Sequence, residues 1–87
     1  MKINKKTYPN GDIYYYDEDN KYHNEVGPAV ESHNGSIFYY IHGKCHRLDG
    51  PAVEYCDGSK GWFFNGKFIP VKNQEDFERY LNLKAFH

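Results

Sequence analysis

Five residues recur letter for letter in this chain: Gly27-Pro28-Ala29-Val30-Glu31 returns as Gly50-Pro51-Ala52-Val53-Glu54. The interval is 50 − 27 = 23 residues, and Gly35 to Gly58 spans the same 23. Gly11 to Gly35 takes 24, and the extra residue falls in the acidic loop Asp17-Glu18-Asp19-Asn20. Asn34-Gly35-Ser36-Ile37-Phe38-Tyr39-Tyr40 matches Asn10-Gly11-Asp12-Ile13-Tyr14-Tyr15-Tyr16, and a third unit from Asp57 to Phe68 stops before its Gly-Pro-Ala-Val half. A partial unit, Tyr8-Pro9-Asn10-Gly11, precedes the first. Periods of this length mean stacked supersecondary units, each of which buries apolar surface only against its neighbours.

Each unit reads as strand, tight turn, strand. Asn10-Gly11, Asn34-Gly35, Asp57-Gly58 and Asn65-Gly66 are dipeptides of type I′ hairpin turns, and runs of Tyr, Phe, Ile and Trp flank them. A second reversal falls at Asp17 to Asn20, at His42-Gly43 and at Asn65-Gly66. Pro28 and Pro51 donate no ladder hydrogen bond, so the Ala-Val-Glu strands begin just after them. The expectation is a mainly β fold: an antiparallel meander of tandem hairpins over residues 1–72, with seven or eight short strands from Ile3–Tyr8 through Lys67–Val71. The tail differs. Asn73 offers an N-cap, acids follow, and Phe77, Tyr80 and Leu81 fall at helical spacing. A helix from about Gln74 to Asn82, within residues 73–87, should cap the last hairpin, with Leu83 and Phe86 extending the contact.

With 87 residues, a second core is excluded, because a chain of this size buries only about 60 to 65% of its extended surface. Aromatic residues make up 18% of the chain, so the core must be largely aromatic. Net charge is −1, and no run of 18 apolar residues occurs, so neither a membrane span nor a signal peptide is expected and the assignment is cytoplasmic. Charge is nevertheless segregated: residues 12–31 carry six acids and one Lys, whereas residues 1–11 carry three Lys and no acid.

His46-Arg47-Leu48-Asp49-Gly50-Pro51-Ala52-Val53-Glu54-Tyr55-Cys56-Asp57-Gly58, with Trp62-Phe63-Phe64-Asn65-Gly66-Lys67, resembles a tandem β-hairpin repeat of small phage and bacterial proteins and, distantly, the MORN repeats. The resemblance covers Tyr8 to Phe68. The first unit departs from it, with Asn24-Glu25-Val26 where Arg47-Leu48-Asp49 stand. The resemblance implies a β-hairpin scaffold, and extends to phage products that inhibit host defence proteins of the toxin–antitoxin type.

Side-chain chemistry points to binding rather than turnover. Cys45 shares a repeat column with Tyr22 and Phe68 and reads as buried; Cys56 shares one with Pro9 and His33 and reads as exposed; both read as free thiols. Neighbours His42, Cys45 and His46 do not converge from one strand, and His23 and His46 share a column as structural residues do, so no metal is expected. No catalytic triad, paired carboxylate or phosphate-cradling loop is present, so no enzyme and no cofactor are expected. Strand parity places Ile13, Tyr15, Ile37, Tyr39, Ile41, Trp62 and Phe64 on one face, read as the better core. It places Tyr14, Tyr16, Phe38, Tyr40 and Phe63 on the other, read as a partner surface. A protein partner is expected there; a homodimer is a further way to cover the face. The alternative is an RNA-binding adaptor in which those rings stack with bases and Lys44, Arg47, Lys60 and Lys67 contact phosphates.

Overall fold

The structure, a computed structural model, describes residues 3–85. Nine strands and one helix appear among the described residues: β1 Asn4–Thr7, β2 Ile13–Tyr16, β3 Val30–Glu31, β4 Ile37–Phe38, β5 Tyr40–Ile41, β6 Lys44–Cys45, β7 Val53–Glu54, β8 Lys60–Phe64, β9 Lys67–Ile69 and α1 Gln74–Ala85. Seven strands form one antiparallel sheet in the order β1-β2-β3-β4-β7-β8-β9. β5 and β6 make a hairpin that leaves this sheet between β4 and β7 and returns to it. A Tyr16–Tyr22 bridge marks the same excursion between β2 and β3. The mainly β meander is therefore present, with nine strands rather than seven or eight because the β5–β6 excursion forms a hairpin of its own beside the seven-stranded sheet. The helix also runs to Ala85 rather than Asn82, through residues that favour helix. Phe86 lies outside the described residues.

The turns are of two kinds, which corrects the uniform type I′ expectation. At Gly11, Gly35 and Gly58 only the glycine has positive φ (98°, 94° and 92°). The residue before it instead uses its side-chain oxygen: Asn10, Asn34 and Asp57 Oδ1 accept the N–H two residues on at 3.0, 3.0 and 2.9 Å. Gly11 N–H also closes on Tyr8 O and Tyr8 N–H on Asp12 O, both at 2.9 Å. These are longer loops ending in a left-handed glycine, built by Asx side chains that compete for backbone donors. Paired positive φ, as type I′ requires, occurs at His42-Gly43 (47°, 83°) and Asn65-Gly66 (50°, 86°).

Burial is thin. The molecule measures 43 × 32 × 17 Å, so its short axis accommodates one sheet plus a single covering layer. Cross-strand pairing puts Tyr14, Val30, Phe38, Val53 and Gly61 in one row across the sheet. Val30 and Val53 are buried there, while Ile13, Tyr15, Ile37, Tyr39 and Ile41 on the opposite face are only half-buried. The parity set expected to be the better core is thus core only near Trp62, where α1 covers it. Neither face has a full second layer, so side chains on both are shielded mainly by neighbours in the sheet.

The helix covers the C-terminal end of that opposite face. Phe77 is fully buried against Trp62 and Ile69, with Phe64, Val71, Tyr80 and Leu81 around them. Asn73 Oδ1 accepts the Asp76 N–H at 2.8 Å as the N-cap. Gln74 ties the first turn down: its Oε1 accepts the Trp62 indole N–H at 2.8 Å and its amide donates to Leu48 O at 2.9 Å.

Removing residues 73–87 uncovers Trp62 and Ile69, each worth about 1.5 to 3 kcal/mol of burial, a large share of the roughly 5 to 15 kcal/mol typical of a domain. Size-exclusion chromatography and circular dichroism of residues 1–72 should show a marginal, aggregating chain; a folded monomer would overturn the capping role. At Gly58 a Cβ would meet nothing within 4 Å, so substitution there isolates backbone strain. Gly58→Val should lose more than about 1 kcal/mol in urea denaturation, and Gly58→Asn clearly less, because Asn tolerates the left-handed region. Equal losses for the two would show that φ is not the cause.

Candidate functional site: an aromatic face on a stapled scaffold

Side-chain acceptors of one unit meet the backbone donors of the next. At one row of turns, Asp12 Oδ1 accepts the His33 N–H at 2.7 Å and Ser36 Oγ accepts the Cys56 N–H at 2.9 Å. At the other row, His23 Nδ1 accepts the His42 N–H and His46 Nδ1 accepts the Asn65 N–H, both at 2.9 Å. The acceptor role fixes the neutral tautomer of both rings with the proton on Nε2. Burial also holds the His46 pKa below its usual value. The shared column of His23 and His46 is structural, as its repetition implied.

His42 adds a third staple. Its Nδ1 lies 2.7 Å from Oδ2 of the buried Asp17, and its ring stacks on His23 at 4.0 Å. Asp17 Oδ1 accepts the Asp19 and Lys21 N–H groups at 2.8 and 3.0 Å. These bonds, that to His42 foremost, bring the Asp17 pKa down to about 2. Asp17, His23 and His42 offer ligand atoms within 4.8 Å of one another, a grouping that sequence spacing missed because it joins two units. The His23 Nδ1 lone pair is already held by the His42 N–H, and His42 Nδ1 by Asp17 Oδ2. Among the described residues these bonds leave only the buried His23 Nε2 without a hydrogen-bond partner, 3.6 Å from Glu25 Oε1.

The His-Arg-x-Asp segment also proves to be a brace. The Arg47 guanidinium lies 4.1 Å over the Tyr39 ring, donates to Asp49 Oδ1 at 2.9 Å and to Pro51 O at 3.1 Å, and fills the space above Gly50. In the first unit Asn24 does the same work, donating to Pro28 O at 3.1 Å. Two loops of different sequence thus keep the same side-chain bond to the proline carbonyl. Cys45 is buried, which pushes its thiol up to about 11, and Cys56 is exposed; both are free.

Tyr14, Tyr16, Phe38, Tyr40 and Phe63 come together on one face, as strand parity requires, and the structure adds four rings to them. Tyr8 meets Tyr14 at 5.2 Å, Tyr22 meets Tyr16 at 5.5 Å and Tyr40 at 5.3 Å, Tyr55 meets Phe38 at 6.0 Å, and Phe68 meets Phe63 at 5.5 Å. These rings shield one another, while α1 and the Arg47 brace lie on the opposite face. Tyr22, Tyr55 and Phe68 are the most open, Tyr55 and Phe68 at 50% and 55% exposure. The Tyr16 phenol is pushed up to about 12 by burial and by its hydrogen bond with Tyr8, so it stays neutral.

The cations of the RNA alternative stand elsewhere. Lys44 pairs with Ile41, Lys60 with Glu54 and Lys67 with Phe64, which puts them on the other face, and Arg47 is committed to its loop. Only Lys6, paired with Tyr14 and lying 5.2 Å over the Tyr8 ring, shares the aromatic face among the cations placed by strand pairing. No helix of the described residues is long and apolar enough to cross a membrane.

A group whose folded pKa is lowered contributes stability that is present above its unfolded pKa and lost as pH falls. For Asp17 the window runs from about pH 4 down to about pH 2. For His46 the loss begins near pH 6.5 and deepens below it. The melting-temperature gap between wild type and Asp17→Asn should therefore be full at pH 5 and close by pH 2, and that between wild type and His46→Ala should narrow from pH 7.5 to 5. A gap that does not change with pH would remove the acceptor role of the side chain concerned.

Compared with known proteins, the chain matches no family model, no curated protein and no solved structure.

Proposed function

We propose that the chain is a non-enzymatic protein-binding module that meets its partner through the aromatic face. The observation that supports this most is that three ring groups, Tyr8 to Tyr40, Phe38 with Tyr55 and Phe63 with Phe68, share one face, Phe38, Tyr40 and Phe63 packing on the same buried Cys45, Ala52 and Val53, while the helix covers the opposite face. Accessible surface agrees: 5923 Å² is about a tenth more than the roughly 5,400 Å² usual for a chain of this mass. Tyrosine suits such a surface, because it offers rigid apolar area with few torsions to freeze and a hydroxyl for a partner's backbone. Fixed turns and stapled hairpins present the rings with little reorganisation, which lowers the entropic cost of association.

The role that the repeat resemblance implies, a phage-encoded inhibitor that occupies a host defence protein in the cytoplasm, fits a module that binds without turnover. Free Cys45 and Cys56 suit that reducing compartment.

Tyr22→Ser, Tyr55→Ser and Phe68→Ser combined change only open rings, so the variant should fold. Affinity capture from host lysate should recover a stoichiometric protein with the wild type and lose it with the triple variant. A partner retained equally by both, or no partner with either, would overturn the assignment.

A further inference from the structure

β1 ends the seven-stranded sheet, and among the described residues no strand lies beyond it. All of its residues, Asn4–Thr7, are exposed. An antiparallel ladder turns the main-chain groups of successive residues alternately to one neighbour and to the other. In β2, Tyr15 gives its N–H to Ala29 O at 2.8 Å, and its carbonyl accepts the His23 N–H at 2.9 Å, both on the side away from β1. Tyr14 and Tyr16 therefore face β1, where they meet Lys6 and Asn4. Lys5 and Thr7, opposite Tyr15 and Ile13, then turn their N–H and C=O groups outward. Donors and acceptors thus stand in line at an open edge.

The lysines leave that edge uncovered. Lys5 Nζ leans back over the Tyr15 ring at 5.9 Å, and Lys6 Nζ lies over Tyr8 at 5.2 Å. As neighbours in a strand they stand on opposite faces of the sheet. Asp12, the nearest acid in the sequence, is taken by the His33 N–H and ring. An incoming strand therefore meets a positive charge on each of its faces.

Charge decides between occupants. A second copy that pairs β1 with β1 in antiparallel fashion must set outward residues against outward residues. The registers that overlap most of the strand then place Lys5 opposite Lys5 or Lys6 opposite Lys6, and like charges directly opposite destabilise a ladder. Edge lysines turn unselected strands away for the same reason. A strand with acids at those two positions is the one they admit.

We infer that β1 accepts an extended, acidic segment of a partner protein as an eighth strand of this sheet, antiparallel as every pair in it is, with two consecutive acids opposite Lys5 and Lys6. The side chain two positions before the acid at Lys6 falls beside Tyr8, on the aromatic face. The inference rests on the chain being a protein-binding module, and adds a main-chain site that the open rings do not supply.

The probe is the blocked synthetic peptide Thr-Val-Thr-Glu-Glu-Val-Thr, titrated into the full ¹⁵N-labelled chain. Its glutamates fall opposite Lys6 and Lys5, and its first valine beside Tyr8. Saturable shifts are expected at Lys5 and Thr7, whose amide exchange with solvent should slow about tenfold at saturation, while Lys6, already bonded to β2, changes less. N-methylation of the peptide at its third and fifth residues, which face β1, should abolish binding with the protein unaltered. Thr7→Pro removes one outward donor and should weaken binding severalfold with little change in melting temperature, because an edge N–H that faces solvent tolerates proline. Lys5→Glu combined with Lys6→Glu should reject the peptide and accept its counterpart with lysines for glutamates. Absence of saturable shifts overturns the inference, as does equal binding of the N-methylated peptide or of the lysine counterpart by the wild type. Shifts at β1 that follow protein concentration without peptide mean a second copy, and oligouridylate held there in preference to the peptide means RNA; both overturn it as well. Failure of the peptide while lysate capture still depends on the open rings sinks the added strand alone; failure of both sinks the protein-binding reading too.

Discussion

The fold depends on backbone donors at turns that an isolated hairpin would leave to water. Each unit supplies the acceptor that the next unit's turn requires: Asp12 for His33, Ser36 for Cys56, His23 for His42, His46 for Asn65. A net intramolecular hydrogen bond contributes only about 0.5 to 1.5 kcal/mol, and these four are exposed or only partly buried. The contacts therefore set register more than they add stability. They also have a direction, with the acceptor on the earlier unit in every case. Pro9 fills the column of His33 and Cys56 at the start and has no N–H to satisfy. Ile69 fills the column of His23 and His46 at the end, where it is buried under Phe77. Where the series ends, a ring acceptor gives way to an apolar side chain, and the helix covers it.

A sheet held by its turns needs less from its core, which accounts for the aromatic composition. With 17 Å of thickness there is room for little beyond one sheet and its side chains, and aliphatic residues standing alone on such a sheet would remain wet. Tyr and Phe are long enough to reach the ring on the neighbouring strand, so each shields the next; Phe63 lies over Gly61, where a Cβ would come within 3.3 Å of its ring. Burial is then shared among half-exposed rings instead of concentrated in a few hidden ones. The same economy leaves an aromatic surface facing outward.

The period, the hairpins, the helix and the grouping of Tyr14, Tyr16, Phe38, Tyr40 and Phe63 were legible in the sequence, because repeat spacing and strand parity are one-dimensional signals. Turn class was less so: an Asn-Gly pair serves two-residue and longer loops, and the choice lies in whether the Asn side chain folds back on its own backbone. The Asp17–His42 contact was hidden because it depends on how two excursions stack. The contacts of Arg47 with Tyr39 and Pro51 were hidden for the same reason, since they depend on how its loop folds back. Tyr8, Tyr22, Tyr55 and Phe68 could have been added to the face by following repeat columns instead of strands, since Tyr22 and Phe68 share the Cys45 column.

Comparing the units shows which positions folding dictates. The turn glycines, the Asx residue before three of them, and the Gly-Pro-Ala-Val-Glu segment return nearly unchanged, and where Arg47 is replaced by Asn24 the bond to the proline carbonyl is kept. The columns of the aromatic face behave differently: Tyr14, Phe38 and Gly61 share one, Tyr16, Tyr40 and Phe63 another, and Tyr22, Cys45 and Phe68 a third. A framework that accepts Tyr, Cys or Phe at one position does not require a tyrosine there. Hydroxyl-bearing rings nonetheless collect at the β1–β2 end and apolar ones at the β8–β9 end. The scaffold itself differs between these ends: β1 and β2 pair over four positions, while the β8–β9 end is the one that the helix covers.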